Sequence, residues 1–250
     1  MVIPIRAVLF DLWGTLIVDD AASAEARSDL RAERTAAALS ALGFSYERAD
    51  IVAALLAAGA ELAAIHDTER DISARGRTIL YVRHLDDDIG ENLDENAWRQ
   101  LDEAVLTPAL SHPPSIMPGA AEALAAVRAL GLPMALISNA GITPGFVLRQ
   151  FLERFGLLNY FAVTTFSDEV EMSKPSPAIF AHALDALEVK PEEAAFVGDQ
   201  PVLDVFGSRR AGIWTVQLGD VTADGIEPHA RIATLAGLVP ALRSLGLVAA

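Results

Sequence analysis

Short apolar runs separated by stretches of helical spacing constrain this chain more than any other feature. The runs fall at 7–10, 134–137, 161–165, 194–197 and 214–217, and helix-patterned segments at 119–130, 146–155, 177–187, 201–211 and 235–245 alternate with the later ones. Strands buried on both faces read as continuous apolar runs, and parallel neighbours need a helical crossover between them. The alternation therefore predicts an α/β fold built on a doubly wound parallel sheet.

The long gap between the first run and the second breaks this rhythm. Segments 23–42, 46–65, 68–85 and 93–106 carry helix formers with apolar residues three and four apart, and no strand pattern competes. We read a helical bundle inserted into the sheet domain, with the core at 1–17 and 114–250 and the insertion at 18–113. The crossings near 17–21 and in the Pro-rich 107–114 would be its hinges. The acidic run Asp86-Asp87-Asp88 reads as a solvated helix end.

Composition removes several function classes. With no cysteine among 250 residues, disulfides, thiolate metal sites and cysteine nucleophiles are excluded. A net charge of −15 argues against nucleic acid as a partner, because that affinity rests on Lys and Arg neutralising phosphates. A small anion can still be held by a local field. The most apolar window, 51–65, is interrupted by Glu61 and too short to span a bilayer, so no membrane partner is expected. The first residues lack the basic flank and apolar core of a signal peptide, which makes the cytoplasm the expected location. Dinucleotide, phosphate-loop and serine-hydrolase signatures are missing, and the pattern is compatible with a monomer or a homodimer.

In an open parallel sheet, ligands bind beyond the carboxyl ends of the strands, so the polar residues found there are read as a set. They are Asp11 and Thr15 after the first run, Ser138 and Asn139 after the second, Ser173 and Lys174 further on, and Asp199 and Asp204 after the fourth. Taken singly, each has a plain explanation: Asp11 as a turn residue, Ser138-Asn139 and Asp199 as helix caps, Lys174 as a surface cation before a proline. Taken together, Asp11, Asp199 and Asp204 make a carboxylate cluster that would repel unless a hard cation such as Mg²⁺ sat among them.

Four segments in this order, Phe10-Asp11-Leu12-Trp13-Gly14-Thr15, Ile137-Ser138-Asn139, Met172-Ser173-Lys174-Pro175 and the stretch from Phe196 through Gly198-Asp199 to Asp204, resemble the motifs of the haloacid dehalogenase superfamily of hydrolases. The resemblance implies a Rossmann-like core with an inserted alpha-helical cap, and Asp11 as a nucleophile that forms a covalent ester or aspartyl phosphate. It also implies Thr15, Ser138 and the backbone of the Gly14 turn as donors to the transferred group, with Asn139 on the same rim. Lys174 would be the fixed cation beside Asp11. Mg²⁺ would be held by Asp11, the backbone carbonyl of Trp13 and Asp199, with Asp204 acting directly, through water or by orienting Lys174.

One position departs from the pattern. Phosphatases of this superfamily usually carry a second Asp two residues after the nucleophile as general acid and base; here Trp13 stands there, and an indole exchanges no proton at neutral pH. The leading reading is a Mg²⁺-dependent phosphatase acting on a small anionic metabolite. A second is carbon–halogen hydrolysis, where the leaving group needs no proton. A third is a binding module without turnover. On the first helix of the insertion Arg27, Arg31 and Arg34 share one face, either reaching a substrate anion, as a cap arginine does in the dehalogenases, or pairing with Glu25 and Glu33 in solvent.

Overall fold

A computed structural model describes residues 4–249; residues 1–3 and 250, which the expected core limits include, lie outside the described residues. Strand β1 (Ala7–Phe10) leads into a ribbon strand β2 (Ile17–Val18), and helices α1 (Ala21–Ala41), α2 (Arg48–Asp67), α3 (Ala74–Leu85) and α4 (Glu95–Leu106) follow. Strand β3 (Ser115–Ile116) returns the chain to α5 (Ala120–Ala129), β4 (Met134–Ser138), α6 (Gly145–Arg154), β5 (Val163–Phe166), α7 (Ser167–Val170) and α8 (Pro177–Leu187). Then come β6 (Ala194–Gly198), a π-helical turn (Pro201–Phe206) running into α9 (Gly207–Arg210), β7 (Trp214–Leu218), β8 (Ala230–Ile232) and α10 (Leu238–Ser244).

The six-stranded sheet has the order β5-β4-β1-β6-β7-β8, and every pair in it is parallel. Side chains alternate between its faces, as a period of two requires. Val8, Phe10, Leu136 and Val197 point into a core with α5, α6 and α10, whereas Ala7, Leu9, Ile137 and Phe196 point into a second core with α8. Full burial of side chains such as Phe10 and Phe196 contributes roughly 1.5–3 kcal/mol each. The chain leaves β1 toward β4 on one side and later returns to β6 on the other. The carboxyl end of β1 is therefore the switch point where the order reverses, and Asp11 is the next residue.

Helices α1 to α4 pack on one another around two small apolar clusters, one holding Ile51, Leu62, Leu80 and Tyr81, the other Leu39, Val82, Ile89 and Leu101. Asp20, Ser73 and Asp94 cap α1, α3 and α4 by accepting from backbone amides. Helix α2 is long and apolar enough by length and composition to cross a membrane, and it buries Ile51, Ala54, Ala58 and Leu62 against the bundle. Asp86, first of the acidic run, is the C-cap of α3 and accepts from the Tyr46 hydroxyl at 2.8 Å.

Three local expectations differ from the structure. The third helix starts at Ala74 rather than 68, because Ser73 caps it and Glu69 takes a positive φ of 61° that breaks the helical path. The crossings at 17–21 and 107–114 are bracketed by the antiparallel β2–β3 ribbon, Ile17 opposite Ile116 and Val18 opposite Ser115. Strand β8 extends the sheet by three residues at its edge.

Candidate active site

Asp11 emerges from β1 into a tight turn in which Leu16 and Ile17 donate to the Leu12 carbonyl at 2.8 and 3.0 Å. Gly14 has a φ of +78°, and a Cβ there would collide with the Asp199 carboxylate, so only glycine lets the turn approach that side chain. Gly198 is the counterpart on β6, where a Cβ would strike Asp204. The two glycines let β1 and β6 bring three acids together.

Lys174 Nζ donates to Asp11 Oδ1 at 2.5 Å and to Asp204 Oδ1 at 2.7 Å, all three side chains being buried. Asp204 Oδ2 accepts from the Gln200 amide at 2.9 Å. Asn139 Nδ2 donates to the Lys174 carbonyl at 3.0 Å and its Oδ1 accepts from the Lys174 amide at 2.8 Å, which locks the loop after β4 to the loop carrying the lysine. Ser138 is buried at the end of β4 and donates to its neighbour's carbonyl at 3.2 Å. Thr15 is fully buried, and its Oγ1 has no partner among the described residues.

The electrostatics follow from this crowding. Burial, and then repulsion from Asp204 and Asp199, push Asp11 up to about 7 despite Lys174. Burial and the neighbouring Asp204 push Asp199 up to about 6. Burial alone would lower Lys174, but Asp11 and Asp204 outweigh it and raise the ammonium above its ordinary value.

One oxygen from each of Asp11, Asp199 and Asp204 lies within 4.8 Å of the other two. Among the described residues, Asp11 Oδ2 and Asp199 Oδ1 are buried without a hydrogen-bond partner. An all-oxygen donor set with unspent lone pairs and an excess of negative charge suits a hard divalent cation. A buried carboxylate thus sits beside a fixed ammonium and among oxygen donors that could hold a metal, an arrangement able to support covalent hydrolysis at an electrophilic phosphorus or carbon.

The structure brings Asp11, Asp199, Asp204, Lys174 and Asn139 into one linked cluster, with Gly14 against Asp199. Trp13 is half-buried, its backbone bridged to Ile17 and its indole against the α5-side core. Within the turn, the Gly14 amide is spent on the Ile17 carbonyl at 2.8 Å and that of Thr15 on Leu12 at 3.3 Å. The amides of Leu12 and Trp13 have no hydrogen-bond partner among the described residues and are the donors the turn leaves open. Sequence reading named the turn but not these amides, since strand and bridge bonding decide which N–H groups remain.

The three arginines of α1 separate clearly. Arg27 pairs with Asp19 and donates to the His112 carbonyl at 2.9 Å, and Arg34 reaches the hydroxyls of Thr107 and Ser111 at 3.5 and 3.2 Å. Arg31 is buried, donates from Nε to the Val105 carbonyl at 2.7 Å, and meets no carboxylate among the described residues. It lines a cavity of about 350 Å³ with Ser28, Leu55, Leu62, His66 and Ile142.

A model of the haloacid dehalogenase-like hydrolase family matches residues 5–212, and the chain belongs to that family. It is 41% identical over 118 residues to phosphoserine phosphatase of Thermus thermophilus, a match covering 47% of this chain and 45% of that protein. The chain therefore spans less than half the length of that relative. With phosphoglycolate phosphatase of Escherichia coli K12 it shares 28% identity over 216 residues, 86% of this chain and 81% of that one. The crystal structure of a 2-haloacid dehalogenase from Pseudomonas syringae pv. Tomato DC3000 superposes with a TM-score of 0.70 at 23% identity, covering 96% of this chain and 99% of that one. At that identity the likeness is one of fold.

Proposed function

We propose that the protein is a phosphatase that hydrolyses monoesters of small phosphorylated metabolites through Asp11. The observation that carries this reading is the buried cluster of Asp11, Asp199 and Asp204 around a single ammonium, with two carboxylate oxygens left unpartnered. Phosphatases among its relatives support the same chemistry. An Asp11 oxygen attacks phosphorus, the ester P–O bond breaks, and the leaving oxygen takes its proton from water. A second water then attacks the aspartyl phosphate and frees Asp11 and inorganic phosphate. Lys174 offsets repulsion between Asp11 and the incoming anion, while the Thr15 and Ser138 hydroxyls and the Leu12 and Trp13 amides face its oxygens. Asp11, Asp199 and the Trp13 carbonyl would hold Mg²⁺, with Asp204 orienting Lys174. Bound there, the ion supplies charge neutralisation for the phosphoryl group. Residues 18–113 act as a lid that excludes water from a core made of 1–17 and 114–250.

A paired assay tests this. Phosphate release from an aryl phosphate that stops on chelation supports the phosphatase, whereas halide release from a 2-haloacid that ignores the chelator replaces it with carbon–halogen hydrolysis. Trp13 is the observation that keeps the second reading in play, because halide departs without a proton.

Mg²⁺ binding has a thermal signature. In the folded chain Asp11 and Asp199 hold protons at pH values where unfolded carboxylates, near 3.8, have released them. Without a divalent cation, stability therefore falls as pH rises from 3.8 through about 7. Mg²⁺ opposes that loss, so added Mg²⁺ raises Tm by more at about pH 8 than at about pH 5, as differential scanning fluorimetry would read. Equal shifts at both would place the ion elsewhere.

Arg31 suggests what the substrate carries besides phosphate. Burial and the nearby Arg27 lower its pKa only to about 10, so it remains charged at neutral pH, in a cavity bordered by the loop that follows Asn139. A carboxylate on the substrate would give it the partner it lacks. Replacing it, as Arg31→Leu, lowers kcat/KM on phosphorylated hydroxy acids about 10- to 100-fold and leaves a neutral aryl phosphate nearly unaffected. Equal losses on both substrates would make Arg31 structural only.

A further inference from the structure

The helical insertion is fastened to the sheet domain at a third place besides its two crossings. Asp71 N donates to the Glu171 carbonyl and Ser173 N to the Glu69 carbonyl, each at 3.2 Å, making an antiparallel bridge between Arg70 and Met172. Ser173 Oγ reaches the His66 carbonyl at 3.3 Å, and Arg210 pairs with Glu69. Next in this chain of contacts stands Arg77 of α3, whose side chain and that of Asp71 are both fully shielded from solvent. Its Nη2 donates to both Asp71 oxygens at 2.8 Å.

Nη1 stays within the insertion and bonds the Ile72 carbonyl, whereas two contacts reach the opposite loop: Nη2 also bonds the Ala140 carbonyl at 2.8 Å and Nε bonds that of Gly141 at 2.6 Å. Ala140 and Gly141 directly follow Asn139, which exchanges two hydrogen bonds with the Lys174 backbone. One planar guanidinium thus spans an acid of the insertion and the loop after β4, while the same insertion segment grips the residue before Lys174. A lysine could keep the charge against Asp71, but an ammonium on a flexible stem cannot present donors in those directions together.

We propose that Arg77 is a positioning residue: it ties the insertion directly to the loop after Asn139 and, through Asp71, steadies the segment that grips the loop carrying Lys174, and so holds the Lys174 ammonium on Asp11. Its kinetic consequence rests on the phosphatase reading; its structural consequence does not.

The test uses Arg77→Lys in the full chain with residue-resolved amide exchange. The bonded amides of Ala140, Ser173 and Lys174 are expected to exchange at least about 10-fold faster than in the wild type, while those of β1 and β6 keep their protection. The kcat for phosphate release, counted per site that binds beryllium fluoride, falls at least about 10-fold with KM nearly unchanged. Unchanged protection in the two loops, or a uniform loss that includes β1 and β6 with activity tracking the folded fraction, overturns the proposal. Should Arg77→Lys fail to fold, Asp71→Asn decides, because it leaves the guanidinium and its carbonyl contacts while weakening the tie. Faster exchange at Ser173 and Lys174 upholds the proposal there, and unchanged exchange sinks it. A wild type that releases no phosphate removes the phosphatase reading alone, and the exchange pattern still decides the role of Arg77.

Discussion

Asp11→Asn is expected to abolish turnover while leaving the fold in place. The amide keeps the shape of the carboxylate but not its charge, and a neutral amide oxygen is a poor nucleophile toward phosphorus, so kcat falls by about 10⁴-fold or more. Lys174 keeps a partner in the variant, since Asp204 accepts from the same ammonium at 2.7 Å. That matters because a buried charge stripped of every partner costs about 3–5 kcal/mol. Removing one of three crowded carboxylates also removes the repulsion that Asp204 and Asp199 exert on Asp11 in the wild type. The expected result is a folded protein with a metal-free Tm near that of the wild type, a smaller Tm increase on adding Mg²⁺, and no beryllium fluoride adduct by fluorine NMR. Residual phosphate release within about 10-fold of wild type would mean another group attacks, and the covalent route would be lost.

The parts of this molecule that could be read from residues alone are those that local pattern controls. Apolar runs such as Ala7–Phe10 and Ala194–Gly198 become central strands because burial on both faces leaves no place for a polar side chain. Asp11 and Asp199 could be named because each directly follows such a run, whereas Lys174 and Asp204 lie further along and were singled out by the resemblance of their motifs. Other features depend on distant partners and leave no local trace. The β2–β3 ribbon has two residues per strand, and Ser115 and Ile116 are exposed, so no alternation exists to detect. Arg27, Arg31 and Arg34 are equivalent on a helical wheel and became distinct only when Asp19, the Thr107 and Ser111 hydroxyls, and a cavity were set beside them. Arg77 stands one turn into α3 close to Arg75, with nothing local to set it apart, yet it is fully buried because carbonyls 63 and 64 residues away fill its donors.

Trp13→Asp is expected to raise the phosphatase rate. The turn that carries this position is held by its backbone, Gly14 to Ile17 at 2.8 Å and both Leu16 and Ile17 to Leu12, so an exchange of side chain leaves Asp11 where it is. Losing the half-buried indole from its place against the core costs stability of about 1–3 kcal/mol, read as a lower Tm. In return, a carboxyl group two residues beyond the nucleophile could protonate the departing oxygen and then activate water, a contribution of about 10²–10⁴ in rate where the proton is limiting. The gain should be largest for alkyl phosphates, whose alkoxides leave poorly, and small for aryl phosphates, whose phenolates leave unaided. That contrast between leaving groups is the measurement, because a nonspecific improvement in folding or metal binding would lift both substrates alike. A variant that gains on neither while Asp11→Asn remains dead would show that the leaving group already receives its proton from another donor. In that case Trp13 serves the shape of the pocket, and residues 18–113 are where the acid is to be sought.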